Sequence, residues 1–206
     1  MRRSSLLFLI FAAIPILMLL ALPPFFKSEA TGTERISLNT ELAAGSSITA
    51  ITTDFPEINL KVSYDPDIPS PIIESGDTGL KCEYIDSTST LIIHSGSSAY
   101  NYSEVHVTLP EQSLEKISGI SGGSLALSNI HAQELSVIPS PSNIAMGQTN
   151  IGTLILGELP DDKGPINLTA GNTSIGALIS AVPQERINMT FGQSHIGTIR
   201  SAGEDD

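Results

Sequence analysis

Acidic side chains that could cleave a glycan are few in the second half of the chain, and they lack a catalytic spacing. Glycoside hydrolysis needs two carboxylates held on either side of the scissile bond. Between residues 117 and 203 the acids are Glu134, Glu158, Asp161, Asp162 and Glu185. The adjacent pair at 161 and 162 lies between a proline and a glycine, which is typical of a solvent-exposed loop. We therefore predict no catalytic residues.

The four histidines show no metal-binding pattern. None of the spacings H-x-H, H-x-x-H or H-E-x-x-H occurs around His94, His106, His131 or His195. Acids at 65–67, 161–162 and 204–206 could supply oxygen to calcium, but no EF-hand loop or Gly-Gly-x-Gly-x-Asp series surrounds them. We predict surface histidines, no bound metal and no cofactor.

The serine-rich turn and the single cysteine also favour structural roles. Ser121–Ser124, with the sequence Ser-Gly-Gly-Ser, lacks the nucleophile-elbow frame and the partner base of a serine hydrolase. It predicts a turn between strands. Cys82 has no second cysteine with which to form an intrachain disulfide. We expect its thiol to be buried among apolar groups, with pairing to a second molecule as the alternative.

The first 30 residues predict an export signal or a membrane anchor. Arg2 and Arg3 precede an uncharged run from Leu6 to Phe26. In a helix, at about 1.5 Å per residue, this run spans roughly the 30 Å of a bilayer core. The basic pair directs the rest of the chain out of the cytoplasm. Residues 4–26 are expected to anchor the protein in the membrane, with cleavage near residues 28–30 and release as the alternative.

The part of the chain after this segment is strongly acidic. Residues 1–30 hold three of the ten basic side chains and one of the 22 acidic ones, so residues 31–206 carry a formal charge of −14. Such a charge repels nucleic acids and anionic lipid surfaces. We predict no nucleic-acid partner.

Alternating apolar and polar residues predict short β-strands in residues 31–116. Ile58–Tyr64 and Val105–Leu109 each place their apolar groups on one face. Pro110 ends the second run because proline cannot donate to a β-ladder. Turn-forming residues separate such runs, so four to six strands fit between Ser46 and Pro110. Few helices are expected, because Ser, Thr, Asn and Gly interrupt every helical period.

Residues 117–203 contain a repeat of 21 to 24 residues. The phrases GQTNIGTL, GNTSIGAL and GQSHIGTI begin at Gly147, Gly171 and Gly192. Their alignment gives one apolar column of Ile130, Ile151, Ile175 and Ile196, and a second of Leu154, Leu178 and Ile199. A unit this short cannot bury its own apolar face and must stack on its neighbours. The repeat predicts the rungs of a single-stranded β-helix, or β-solenoid, with a β-sandwich as the alternative.

Glycine and asparagine hold fixed positions in this repeat. The first glycine of each phrase is expected to turn the chain at a corner, in a backbone conformation that is costly for other residues. The second glycine is expected to mark the next bend; these residues are Gly152, Gly176 and Gly197. Asn-x-Ser/Thr sequons occur at Asn101, Asn167, Asn172 and Asn188. The sequons at 167 and 188 share one repeat position, which favours outward-facing repeats over glycan attachment.

One succession of motifs resembles a known family. Glu-Val-His-Val-Thr-Leu-Pro at 104–110 is followed by Leu-Glu-Lys-Ile at 114–117 and by Gly-Gly-Ser-Leu-Ala-Leu at 122–127. This succession resembles the putative adhesin domains of bacterial envelope proteins, including those called head GIN domains. The resemblance covers roughly residues 35–203. It implies a single-stranded β-helix-like fold, an extracytoplasmic location and no catalytic residues.

Together these patterns predict an all-β protein. It would comprise a hydrophobic helix in residues 1–30, an adhesin-like β domain in residues 31–203 and an acidic tail in residues 204–206. The domain divides into a short-strand part, 31–116, and the solenoid rungs, 117–203. The last strand, near Ile196–Arg200, is a candidate for strand addition by a partner, and the acidic tail would discourage uncontrolled pairing there.

The function expected from this architecture is that of a non-enzymatic extracytoplasmic envelope protein. It would present a binding surface to another envelope protein or to a surface glycan. It would be anchored in the cell membrane facing the periplasm or the exterior, or secreted if the leader is cleaved. The alternative is a membrane-anchored sensor or assembly module that binds another envelope protein. A third hypothesis is an enzyme that acts on cell-wall polysaccharide.

Overall fold

The computed structural model describes residues 36–37, 42, 45–55, 57–76, 79–95, 103–159 and 163–201. All of these lie in the second of two compact units, Arg35–Asp206. The first unit, Met1–Glu34, lies outside the described residues, and so does the predicted N-terminal helix. Among the residues described, no helix is long and apolar enough to cross a membrane.

Sixteen strands make up the described part of the chain. They are β1 Ile36–Ser37, β2 Ala50–Thr53, β3 Ile58–Tyr64, β4 Ile72–Ser75, β5 Lys81–Ile85, β6 Thr90–His94, β7 Ser103–Leu109, β8 Lys116–Ser118, β9 Ser124–Ser128, β10 His131–Ile138, β11 Asn143–Gly147, β12 Asn150–Leu156, β13 Ile166–Gly171, β14 Ser174–Ser180, β15 Ile187–Phe191 and β16 His195–Ser201. The helical segments described are two 3-10 turns, Asp86–Thr88 and Gln184–Arg186. The predicted all-β class is confirmed, and the six strands β2–β7 match the four to six expected before Pro110.

Two mixed sheets of eight strands contain all of these strands. The first sheet has the order β1-β4-β7-β3-β9-β11-β13-β15, and the second has the order β16-β14-β12-β10-β8-β2-β6-β5. From β8 onward the chain alternates between the sheets, so each strand pairs in parallel with the strand two places later. Among the described strands, antiparallel pairs occur only toward the other end of each sheet, where β4 pairs with β1 and β7, and β5 pairs with β6.

The predicted apolar columns follow the registers of the second sheet. Ile151 pairs with Ile175 and Ile175 with Ile196, while Leu154, Leu178 and Ile199 pair in the same way three residues later. The first two members of each column are fully buried. Inward-facing side chains of the first sheet join the same hydrophobic core, and their registers also match the repeat, with Ile144 on Leu168 and Leu168 on Met189.

Ile130 does not belong to the first of these columns, and that part of the alignment is wrong. Ala132 is the residue that pairs with Ile151. Ile130 precedes β10 and is buried. Its carbonyl oxygen accepts a hydrogen bond from the backbone N–H of Asn150 at 2.8 Å. Ile130 therefore fills the core at the corner before the strand.

The first glycine of each repeat does not make the corner, contrary to the prediction. None of Gly147, Gly171 and Gly192 adopts a left-handed φ. The residue that follows the strand takes this conformation in three of the corners: Asn129 at 59°, Gln148 at 52° and Asn172 at 52°. Asparagine tolerates the left-handed region better than most residues. Glycine precedes this residue at two of the three corners, and Ser128 precedes it at the third.

The second glycine column lies within strands and not at a bend, so that prediction is also wrong. Gly152, Gly176 and Gly197 are the third residues of β12, β14 and β16. A Cβ on Gly176 would lie 2.6 Å from the carbonyl oxygen of Gly152. A Cβ on Gly197 would meet the carbonyl oxygen of Gly176 in the same way. Glycine is required here because successive backbones approach too closely for a side chain.

The last pair of strands leaves part of the core uncovered. Phe191 is 40% exposed, whereas Ala170, its partner in the preceding strand of the first sheet, is 2% exposed. Met189, Ile196 and Ile199 are only partly buried. β15 and β16 are the terminal strands of their sheets, so the predicted position of an edge strand near Ile196–Arg200 is confirmed.

Candidate functional site

A shallow, open depression of about 760 Å³ runs along the corners that lead from the first sheet to the second. We call it the corner groove. It is lined by His131, Gln148, Thr149, Asn150, Asn172, Thr173, Ser174, Gly192, Gln193, Ser194 and His195. These residues come from four successive turns of the chain, so the groove extends along the direction in which the strands stack.

One column of outward-facing side chains forms a continuous edge of the groove. His131 pairs with Asn150, Asn150 with Ser174, and Ser174 with His195, as the first residues of β10, β12, β14 and β16. All four are exposed. Neighbouring strands are about 4.8 Å apart, so the two imidazoles stand roughly 14 Å from each other. The column thus presents two imidazoles, an amide and a hydroxyl at regular intervals.

A second column forms a rigid inner wall. Thr149 and Thr173 are buried, and their hydroxyls donate to the carbonyl oxygens of Gly147 and Gly171 at 3.0 and 3.1 Å. The Thr173 amide donates to Ser194 Oγ at 3.1 Å. These hydrogen bonds hold the corners in one conformation, so the wall does not have to become ordered when a ligand binds.

The corner groove has no acidic side chain and no lysine or arginine in its lining. By contrast, residues 31–206 carry a formal charge of −14. The groove therefore offers hydrogen-bond donors and acceptors without an ion-pairing partner.

Amide side chains form a ladder on the outer face of the first sheet. Asn167 donates to Asn143 Oδ1 at 3.0 Å, and Asn188 donates to Asn167 Oδ1 at 3.1 Å. The register pairs Asn167 with Asn188, as the repeat predicted. The sequon at Asn172 lies in the corner groove and is exposed. The sequon at Asn101 lies outside the described residues.

A charged cluster lies on the same outer face at the other end of the sheet. Glu104 Oε1 lies 2.7 Å from His106 Nε2 and also accepts a hydrogen bond from Lys61. His106 follows Glu104 by two residues in β7, so both lie on one face of the strand. Lys61 of the neighbouring parallel strand β3 lies opposite His106 in the register. The hydrogen bonds from His106 and Lys61 lower the pKa of Glu104 to about 2.

We expect Glu104→Gln to remove one component of the acid sensitivity of folding. A carboxylate whose pKa is lowered by folding stabilises the protein above its unfolded pKa, and this stabilisation is lost as the pH falls from about 4.5 to about 2. Because Glu104 and Lys61 are each half exposed, the contribution should be below about 1 kcal/mol. Urea unfolding at a series of pH values would measure it. The control is Glu111→Gln, an exposed carboxylate outside the cluster; an equal effect of both variants would contradict the assignment.

A second cluster joins three segments that are far apart in sequence. His94 Nδ1 lies 2.8 Å from Asp54 Oδ2, and His94 Nε2 lies 3.6 Å from Glu83 Oε2. The Ser95 amide donates to Asp54 Oδ1 at 2.8 Å. Partial desolvation raises the pKa of Asp54, but the hydrogen bonds from Ser95 and His94 outweigh it, so the pKa is lowered overall. Both ring nitrogens of His94 face carboxylates, although the residues next to His94 in the sequence are not acidic.

The remaining candidates have structural roles or lie outside the described residues. Asp65 Oδ1 accepts a hydrogen bond from the Asp67 amide at 3.0 Å, which closes a local turn. Ser121–Gly123 is a bend before β9, as predicted. Asp161 and Asp162 lie outside the described residues. Within the ranges described, no three His, Cys, Asp or Glu side chains are grouped to hold a metal.

The Cys82 thiol is half-buried and packs against the hydrophobic core. The burial expected from sequence is therefore confirmed in part. Desolvation raises its pKa to about 11 from 9.0. Since the thiolate is the reactive form, this cysteine is poorly suited to nucleophilic chemistry or to disulfide exchange at neutral pH.

Comparison with known proteins identifies no family for this chain. No family model matches it, and no curated protein matches it significantly. A crystal structure described as a putative adhesin from Bacteroides fragilis is similar at 12% identity and a TM-score of 0.42, covering 77% of this chain and 94% of the other. One described as a putative cell adhesion protein from Clostridium sporogenes is similar at 10% identity and a TM-score of 0.32, covering 78% and 96%. At these TM-scores neither likeness establishes a shared fold.

Proposed function

We propose that this chain is a non-enzymatic, adhesin-like β-solenoid that presents a ligand-binding surface outside the cytoplasm. The observation that carries the proposal is the parallel register of the repeats. This register stacks equivalent polar side chains into the corner groove.

Coiling of residues 117–201 is supported by the order of the strands. The chain passes from one sheet to the other at every turn, and each strand bonds to the strand one full turn later. Both sheets contribute inward-facing side chains to one core. We infer that a chain following this path winds about that core, as in a single-stranded β-helix.

Binding is favoured over catalysis by the chemistry of the corner groove. Hydrolysis of a glycosidic bond requires two carboxylates about 5 to 10 Å apart, and the groove lining contains no carboxylate. The only titratable side chains of the lining are His131 and His195, and at roughly 14 Å apart they are too distant to act on one bond. The remaining side chains suit recognition through hydrogen bonds.

Export is supported by the sequence of residues 1–30. A basic pair followed by an uncharged run long enough to cross a bilayer directs the domain outward. We propose that residues 4–26 tether residues 31–203 to the cell membrane, or that the domain is released if this segment is cut.

A second candidate function is that of an assembly module, which the uncovered edge of the solenoid favours. β15 and β16 end their sheets and leave half-exposed apolar side chains, with Phe191 the most exposed of them. An edge strand with unpaired backbone groups can accept a strand from a partner protein.

Site-specific photo-cross-linking in intact source cells would test the proposal and separate the two candidates. A photoreactive residue would replace Asn172 in the groove, Arg200 at the edge or Thr169 on the outer face of the first sheet. We expect envelope material to cross-link from position 172 and not from position 169. Cross-linking of a single envelope protein from position 200 alone would favour the assembly module. A chain found entirely in the cytosol would overturn both.

A further inference from the structure

We propose that the corner groove binds an extended, uncharged oligosaccharide that lies along the stacking direction of the strands. This inference rests on the proposed function and specifies its ligand. The groove is long enough for several sugar units, since its lining comes from four successive strand starts, which lie about 4.8 Å apart.

The chemistry of the lining fits a ligand rich in hydroxyl groups. Asn150, Ser174 and His195 offer an amide, a hydroxyl and an imidazole, each able both to donate and to accept hydrogen bonds. Gln148 and Gln193 supply further amides at the corner. A sugar hydroxyl also donates and accepts, so every polar group of such a ligand can find a partner.

Charged ligands are disfavoured by the same lining. An acidic glycan would meet no lysine or arginine in the groove and would be repelled by a domain of formal charge −14. A cationic ligand would lose water of hydration on entry without gaining a carboxylate partner. The groove therefore selects for neutral ligands.

The direction of the groove follows from the ladder that builds it. Equivalent positions recur about every 4.8 Å over four turns, from His131 to His195. A linear oligomer can repeat its contacts at successive turns, whereas a single sugar contacts only one or two of them. No Phe, Tyr or Trp lines the groove, so stacking on a sugar ring is confined to the two imidazoles. Affinity must come from the number of hydrogen bonds and therefore from ligand length.

Calorimetric titration of the purified full-length protein would test this inference. The neutral probes are cellotetraose, chitotetraose, maltotetraose and mannotetraose, each compared with its monosaccharide; tetragalacturonate is the acidic probe. We expect at least one neutral tetrasaccharide to bind about tenfold or more tighter than its monomer, which corresponds to roughly 1.4 kcal/mol. The acidic probe should bind at least tenfold more weakly than that tetrasaccharide.

Two substitutions locate the binding. Ser174→Asp places a charge in the middle of the groove and should weaken binding about tenfold. Thr169→Asp makes the same kind of change at an exposed strand position outside it and should leave binding unchanged. If Ser174→Asp fails to fold, Gln193→Glu, on the exposed corner, provides a near-isosteric charge and should also weaken binding.

Three results would overturn the inference: no neutral tetrasaccharide binds, tetragalacturonate binds equally well, or the groove variants bind as the Thr169→Asp control does. The proposed function would survive any of these results if position 172 still cross-linked envelope material in cells. It would fail separately if the protein were cytosolic.

Discussion

Replacement of Gly176 by alanine is expected to destabilise the fold strongly. Gly176 is the middle member of the second glycine column, and its new Cβ would lie 2.6 Å from the carbonyl oxygen of Gly152. That oxygen belongs to the backbone of the adjacent strand and cannot rotate away. Relief requires β12 and β14 to separate, which would lengthen the hydrogen bonds around Ile151 and Ile175. Overpacking of this kind costs about 1–3 kcal/mol or more, and chemical denaturation would measure the loss.

Gly171 provides a matched control five residues earlier. It ends β13, has no left-handed φ, and a Cβ built there meets no atom within 4 Å. We expect Gly171→Ala to change the free energy of unfolding by less than about 0.5 kcal/mol, as for other open surface positions. Equal destabilisation by the two substitutions would show that the first glycine of the repeat is also required, and would contradict the roles inferred from the structure.

The substitution Leu154→Ala should lower the free energy of unfolding by as much as Gly176→Ala does, or by more. The side chain is fully buried in β12, between Leu135 of the preceding turn and Leu178 of the following one. A cavity at this position is enclosed on both sides by rigid strands that cannot collapse into it. Leu→Ala substitutions at such sites cost about 2–5 kcal/mol. The free energy of unfolding from urea denaturation would measure the effect.

Ile199 is the matched control because it occupies the same column at its open end. It pairs with Leu178 on one side and remains only partly buried, since β16 is the terminal strand among those that the structure describes in this sheet. We expect Ile199→Ala to cost clearly less than Leu154→Ala. If it cost as much, a covering element that closes the end of the core would have to be present in solution.

The stacking of the repeats could be predicted from sequence because the spacing between columns is preserved. The residues Ile151, Ile175 and Ile196 lie in register although the steps between them are 24 and 21 residues. The extra three residues are accommodated between β12 and β13 and do not disturb the strands. The sequence pattern places the first turn incorrectly, because Ile130 is apolar and lies near the expected position. The residue that pairs with Ile151 is the small Ala132.

The roles of the glycines could not be read from residue type alone. Glycine is required both by positive φ and by close backbone approach, and the sequence does not distinguish the two causes. The structure assigns the left-handed corners to Asn129, Gln148 and Asn172 and the close approach to the second glycine.

The candidate site could not be predicted from the sequence, because only the fold brings its residues together. The lining of the corner groove consists of ordinary turn residues, and the fold brings them together only by stacking four corners. The contact between His94 and Asp54 joins residues 40 positions apart, and no local sequence motif predicts it. By contrast, Glu104 and His106 are two residues apart on one strand face, a spacing that could have identified their contact.

The pairing pattern from β10 to β16 has an evolutionary consequence. Each of these strands bonds, among the described strands, only to those one turn earlier and one turn later, so duplication of one unit in the gene would add a turn without altering any existing contact surface. The chain could thereby lengthen the stack of strands, and the corner groove along it, in discrete steps while its fold stayed intact.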